Sequence, residues 1–147
     1  MNVKGLVVEL MWLDDTRYPT EDHRPAVNVL QWIQYQLDNC TSTKEVNAAD
    51  DKLRISIDGT PLHYLVADAS GNIASIEFLK GKMIVHLGES LPYPFLTNST
   101  YEVSSQNAEM IITEMIIKSK EKKLPADNSL QRFLKACQMI NILRWKN

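Results

Sequence analysis

The chain has 147 residues, 44% hydrophobic and 23% charged, which suits one domain with a real core and is too short for two. A net charge of -2 and a pI near 5.9 leave no electrostatic footprint for nucleic acid. No apolar run approaches the ~20 residues that cross a bilayer. The opening MNVKGLVVELMWLDD turns acidic without a small-residue cleavage site, which argues against a signal peptide and leaves the compartment open.

In chain order, the β-branched and apolar run from Leu6 to Leu13 reads as a buried strand. The next segment, DDTRYPTEDHRP, is rich in charge and proline and must be a loop, with Asp14, Asp15 and Arg17 as a solvated polar cluster. AVNVLQWIQYQLDNC repeats Val27, Leu30, Ile33 and Leu37 at helical spacing behind Pro25, predicting a helix. A short helix follows at STKEVNAAD, where Ser42 and Glu45 have the spacing of a capping box.

The middle reads as four strands, Leu53 to Ile57, Leu62 to Asp68, Ile73 to Leu79 and Lys82 to Leu87. The glycine turns between them (Asp58-Gly59, Ser70-Gly71-Asn72, Lys80-Gly81-Lys82) predict an antiparallel meander. Two helices close the chain. One carries Ala108, Ile111, Ile112, Met115 and Ile116 on a face and ends in KSKEKK, a solvated terminus whose lysines complement the helix dipole. The other carries Leu130, Phe133, Leu134, Cys137 and Ile140, beyond a polar break at KLPADN. The order implies an α+β fold, with helices packed on one face of an antiparallel sheet.

Few residues announce chemistry on their own. His23, His63 and His86 lie apart from one another and read as surface or partly buried side chains. No HExxH pair, His/Cys cluster, nucleophile elbow or glycine-rich phosphate loop is present, so the expectation is no metal and no cofactor. Cys40 and Cys137 lack metal spacing and read as packing residues, two buried free thiols being commoner than one disulfide. PYPFLTNSTYEVS, from Pro92 to Ser104, is different. It leads an amide side chain, Asn98, through a rigid bend between a strand and a helix, where it could donate hydrogen bonds to a developing negative charge.

Four segments in order, MNVKGLVVELMWL, PLHYLVADASGNIASIEFLKGKM, FLTNSTYEVS and LPADNSLQRFLKA, together resemble the choloylglycine hydrolase family, which includes bile salt hydrolases and penicillin V acylases. The family's Asn-Glu-Lys-Gly-Leu is similar to Asn2-Val3-Lys4-Gly5-Leu6, and its Leu-Thr-Asn to Leu96-Thr97-Asn98. Its Leu-Pro-Gly-Asp and Ser-Arg-Phe are similar to Leu124-Pro125-Ala126-Asp127 and Arg132-Phe133. The resemblance implies an Ntn-type hydrolase of linear amide C–N bonds with a four-layered αββα sandwich. It assigns Asn98 to the oxyanion hole, Arg132 to the charge network of the nucleophile, and Trp12 to an aromatic wall of the substrate pocket. It also implies a cysteine nucleophile whose strand would precede Met1, and further strands beyond the Arg132 helix. Residues 1–147 are thus expected to be a single partial domain, lacking the nucleophile strands and the C-terminal strands and inactive alone. The small-molecule partner would be an N-acyl amide of bile-salt or penicillin V type. The alternative is a non-catalytic assembly module, pairing through exposed strand edges with a second copy or a missing half, with no nucleic acid or membrane involved.

Overall fold

The computed structural model describes residues 1–118 and 129–144, with side chains described for 1–111 and 129–139. The elements run β1 (Val7–Trp12), β2 (Ala26–Val27), α1 (Val29–Asn39), α2 (Thr43–Ala48), β3 (Arg54–Ile55), β4 (Leu62–Ala67), β5 (Ile73–Leu79), β6 (Lys82–Leu87), α3 (Tyr101–Lys118) and α4 (Ser129–Arg144). The main sheet is antiparallel, in the order β1-β4-β5-β6.

The three strands read between Leu62 and Leu87 stand as expected, and their turns explain why. At the β5–β6 corner Lys80 (φ 53) and Gly81 (φ 77) both take positive φ, the twist that suits a two-residue hairpin. The strand preceding them does not join this meander. Leu53 to Ile57 shortens to β3, which pairs in parallel with β2 as a separate two-stranded stub, Ala26 opposite Arg54 and Val27 opposite Ile55. The place beside β4 is taken by β1, with Val7 opposite Ala67 and Trp12 opposite Leu62.

The helix expected from Ala26 also starts later. Asn28, extended at φ -77 and ψ 169, caps α1: its side chain accepts from the Leu30 and Gln31 amides while the Gln31 side chain accepts from the Asn28 amide. This reciprocal box outcompetes a proline-led start and leaves Ala26 and Val27 extended. At α2 the anticipated box is half made. The Ser42 side chain accepts from the Glu45 amide, whereas the Glu45 carboxylate reaches past it to the Thr41 amide and hydroxyl.

Helices cover both faces of the sheet, not one. Side chains alternate along each strand, and two hydrophobic clusters divide the alternation. Leu62, Tyr64, Val66, Ile76 and Phe78 pack with Trp32 of α1 and Val46 of α2. Trp32 lies 4.5 Å from Tyr64 and meets Phe78 edge-on at 6.1 Å, ring to ring. On the other face Met11, Leu65 and Ile73 pack with Tyr101 and Ala108 of α3 and Phe133, Leu134 and Cys137 of α4. The side chains of Ile112, Met115, Ile116 and Ile140, the KSKEKK run beyond Lys118 and the Leu124–Asp127 motif lie outside what is described.

The N-terminal motif has a structural function. Asn2 donates to the carbonyls of Leu37 and Cys40 at the end of α1, and its Oδ1 accepts from the Lys4 and Leu6 amides. One carboxamide thus ties the helix end to the entry of β1. Among the described residues no helix is long and apolar enough to cross a membrane, and no group of three ligating side chains could hold a metal.

Candidate active site

Three elements converge on Asn98. It sits in the loop between β6 and α3, and its Nδ2 donates to the backbone carbonyl of Trp12, the last residue of β1, at 2.9 Å. Its Oδ1 accepts from Nη2 of Arg132, in the first turn of α4, also at 2.9 Å. A guanidinium only donates and a backbone carbonyl only accepts, so the two contacts fix which end of the carboxamide is which. One N–H of the Nδ2 group remains beyond the bond to Trp12, available to another acceptor.

The flanking residues hold this bend from both sides. Ser129, the first residue of α4, accepts from the Ser99 hydroxyl and donates to Thr97 Oγ1, each at 2.9 Å. Asn98 is therefore bracketed by neighbours bonded to the same helix start that presents Arg132. The guanidinium and the carboxamide are exposed, so their bond contributes orientation more than stability.

Asn98, Arg132 and Trp12 are brought together, but Trp12 enters through its backbone. Its indole is 48% exposed, and Nε1 donates to Asp14. Two open clefts on the described surface, one beside Arg17, Tyr18 and Lys80 and one beside Thr43, Asn72 and Leu87, include none of the three residues. Trp12, Asn98 and Arg132 are each exposed.

Both cysteines are free and buried, as the commoner reading held. Burial pushes the Cys137 thiol up to about 12 and raises Cys40 as well. A thiol kept protonated and enclosed is a packing group, because the thiolate is the nucleophile.

The sequence marks His63 only as a surface or partly buried histidine and does not mark Glu77 at all. His63 is completely enclosed rather than partly buried, and its Nδ1 lies 3.1 Å from Oε1 of an equally enclosed Glu77. The same oxygen accepts from the Tyr101 amide at 2.8 Å, where α3 begins. His86 stands nearby, Nε2 4.0 Å from Glu77 Oε2, with its ring 4.9 Å from that of Tyr101. Alternation did place positions 63 and 77 inside strands. It could not show that opposed polar residues share an enclosed layer.

With this geometry in place, residues 1–141 match the family model for linear amide C–N hydrolases, choloylglycine hydrolase family. The chain belongs to that family. A penicillin V acylase of Pectobacterium atrosepticum is 32% identical over an alignment covering 67% of this chain and 29% of the relative. The solved penicillin V acylase of Agrobacterium tumefaciens superposes with a TM-score of 0.71 at 27% identity, covering 91% of this chain and 41% of that one. A variant of the conjugated bile acid hydrolase of Clostridium perfringens shares the fold, with a TM-score of 0.77 at 21% identity over 98% of this chain and 52% of that one. The α+β fold of this choloylglycine hydrolase family member is thus of the Ntn-hydrolase type, and the chain spans about half or less of each relative's length.

Proposed function

We propose that this family member carries the oxyanion side of a linear amide hydrolase site, acting on N-acyl amides of bile-salt or penicillin V type, with the thiol nucleophile contributed from outside these 147 residues. The observation that carries this reading is the clamped carboxamide of Asn98, held at one end by Arg132 and at the other by the Trp12 carbonyl with one N–H to spare. A preorganised donor of this kind lowers the barrier to tetrahedral intermediate formation by roughly 2.7–4 kcal/mol. Arg132 supplies a fixed positive charge beside it, suited to orienting a carboxylate or favouring a nearby thiolate. Neither enclosed cysteine is suited to attack.

The test has two arms. The purified chain, offered penicillin V and glycocholate, should give no turnover; turnover surviving replacement of both Cys40 and Cys137 would overturn the external-thiol reading. Supplying a cysteine-led N-terminal segment of a family acylase by co-expression should restore hydrolysis, and Asn98→Ala should lower it by about 10²–10³-fold. Hydrolysis indifferent to Asn98 would remove the assignment.

A second reading, assembly through strand pairing, rests on a separate observation. β1 and β6 each have one neighbour in the sheet and expose apolar side chains, Leu10 at 45% on β1 and Leu87 at 42% on β6. Unpaired, partly apolar edges invite another strand. A discrete oligomer in size-exclusion chromatography supports it, and a clean monomer at high concentration rejects it.

A further inference from the structure

We propose that Glu77 is a positioning residue for Asn98, acting from inside the sheet through the first amide of α3; the purpose of that positioning, though not its existence, rests on the amidase reading above. Ile76 and Phe78 flank it in β5 but face the opposite layer, and Ser75 is the other polar residue of the strand. A carboxylate there is removed from water completely, a cost that an apolar side chain would avoid. What the carboxylate offers instead is a fixed acceptor. The Tyr101 amide is one of the donors that every helix N-terminus leaves without an intrahelical partner. A capping side chain ordinarily reaches the second or third of these donors and leaves the first to another acceptor. Here the sheet supplies the acceptor, Glu77 Oε1, at 2.8 Å. The helix dipole favours a negative group at that end.

The contacts close into a ring. Glu77 Oε1 accepts from the Tyr101 amide and lies 3.1 Å from Nδ1 of His63. His63 stands opposite Met11 in the β1–β4 ladder, next to Trp12. The Trp12 carbonyl accepts from Asn98, a short step upstream of Tyr101. Each link fixes one position in the circuit, so the start of α3 cannot shift along β5 without breaking the bond between Asn98 and Trp12. His86 and the paired Tyr101 ring wall the same carboxylate from the outer strand. The Tyr101 hydroxyl is anchored in turn on the Tyr93 backbone, accepting from its amide and donating to its carbonyl, both at 3.1 Å. Ser129 fixes the Arg132 end of the arrangement independently.

The experiment is solution NMR on the isotope-labelled 147-residue chain, comparing wild type with Glu77→Gln, Glu77→Leu and Glu77→Asp. The readouts are Overhauser contacts from the Asn98 side-chain amide to Trp12 and Arg132, exchange of the Tyr101 amide, and the cross-strand contacts of Met11 with His63. Glu77→Gln retains an acceptor and should keep the Asn98 contacts. Glu77→Leu should lose them and speed Tyr101 exchange by about tenfold, while the β1–β4 contacts persist. Should Glu77→Leu fail to fold, Glu77→Asp, whose carboxylate stops one methylene short of the amide, should give the same loss. Survival of the Asn98 contacts in Leu or Asp, or their loss in Gln as well, would overturn the assignment. None of these signals depends on turnover. A well-positioned but inert Asn98 would sink the amidase reading alone, and Asn98 contacts that persist in Glu77→Leu, in a reconstituted enzyme that still needs Asn98, would sink this one alone.

Discussion

Arg132 donates from Nη2 to Asn98 Oδ1 across 2.9 Å, joining side chains 34 positions apart in the chain. The same carboxamide donates from its other end to the Trp12 carbonyl. Replacing Asn98 with Asp separates the two ends chemically: a carboxylate still pairs with Arg132 but has no hydrogen for Trp12 or for an oxyanion. Asn98→Asp is expected to fold at a cost of about 0.5–1.5 kcal/mol, for the lost bond to the Trp12 carbonyl. In the reconstituted hydrolase it should lose activity about as fully as Asn98→Ala. Thermal melting and initial rates on penicillin V check the two halves.

Cys40 and Cys137 should resist a water-soluble disulfide reagent in the native protein at pH 8 and react fully in denaturant. Burial holds both thiols above their ordinary range, Cys137 at about 12, so little thiolate exists and little can be reached. Rapid native labelling of either residue would contradict the packing described.

Asp22 gives an acid-range prediction with a definite sign. Hydrogen bonds from the Arg24 side chain and backbone hold its carboxyl down to about 2. A carboxyl depressed on folding contributes stability that is complete above its unfolded value, about 3.9, and fades as pH falls through the folded value. Asp22→Asn should therefore melt lower than wild type at pH 6 and converge with it near pH 2. Parallel melting curves across that window would refute the pairing.

Gly5 takes φ 84, and a Cβ there would stand 2.9 Å from Cβ of Ala69. Gly5→Ala combines a left-handed backbone with a steric conflict, and it should cost about 1–3 kcal/mol. Chemical denaturation measures it. Because Gly5 lies in the loop that Asn2 organises, protection of the α1 C-terminus should fall with it.

Trp32 is 1% exposed and sits among Tyr64, Phe78 and the α1 residues. Trp32→Ala should cost about 3–5 kcal/mol, a large share of the stability of a domain this size. Retention of a cooperative melt near the wild-type midpoint would show that the α1 face contributes little.

Much of this was legible beforehand, and the misses have physical causes. Alternation with glycine turns located β4, β5 and β6, because tight hairpins couple local turn chemistry to pairing. The same logic failed at Leu53 to Ile57, where the partner strand is Ala26–Val27, remote in sequence and too short to show a period. Helical spacing ran through Val27 although Asn28 and Gln31 had already defined a later start. The convergence of Asn98 with Arg132 could not be read from spacing at all; family resemblance supplied both residues, and only the fold puts them in contact. Glu77 escaped notice for the opposite reason. A lone acid within a strand looks solvated until the helix that encloses it is in place.

Trp12 closes the outermost ribbon of the sheet, and its carbonyl holds Asn98. Any peptide zipped along the free flank of that ribbon would be delivered to the carboxamide with its alignment dictated by the pleat. A slip by a single position would turn every incoming side chain to the wrong layer. The flank of β1 is thus a ruler as well as a boundary for any strand that pairs with it.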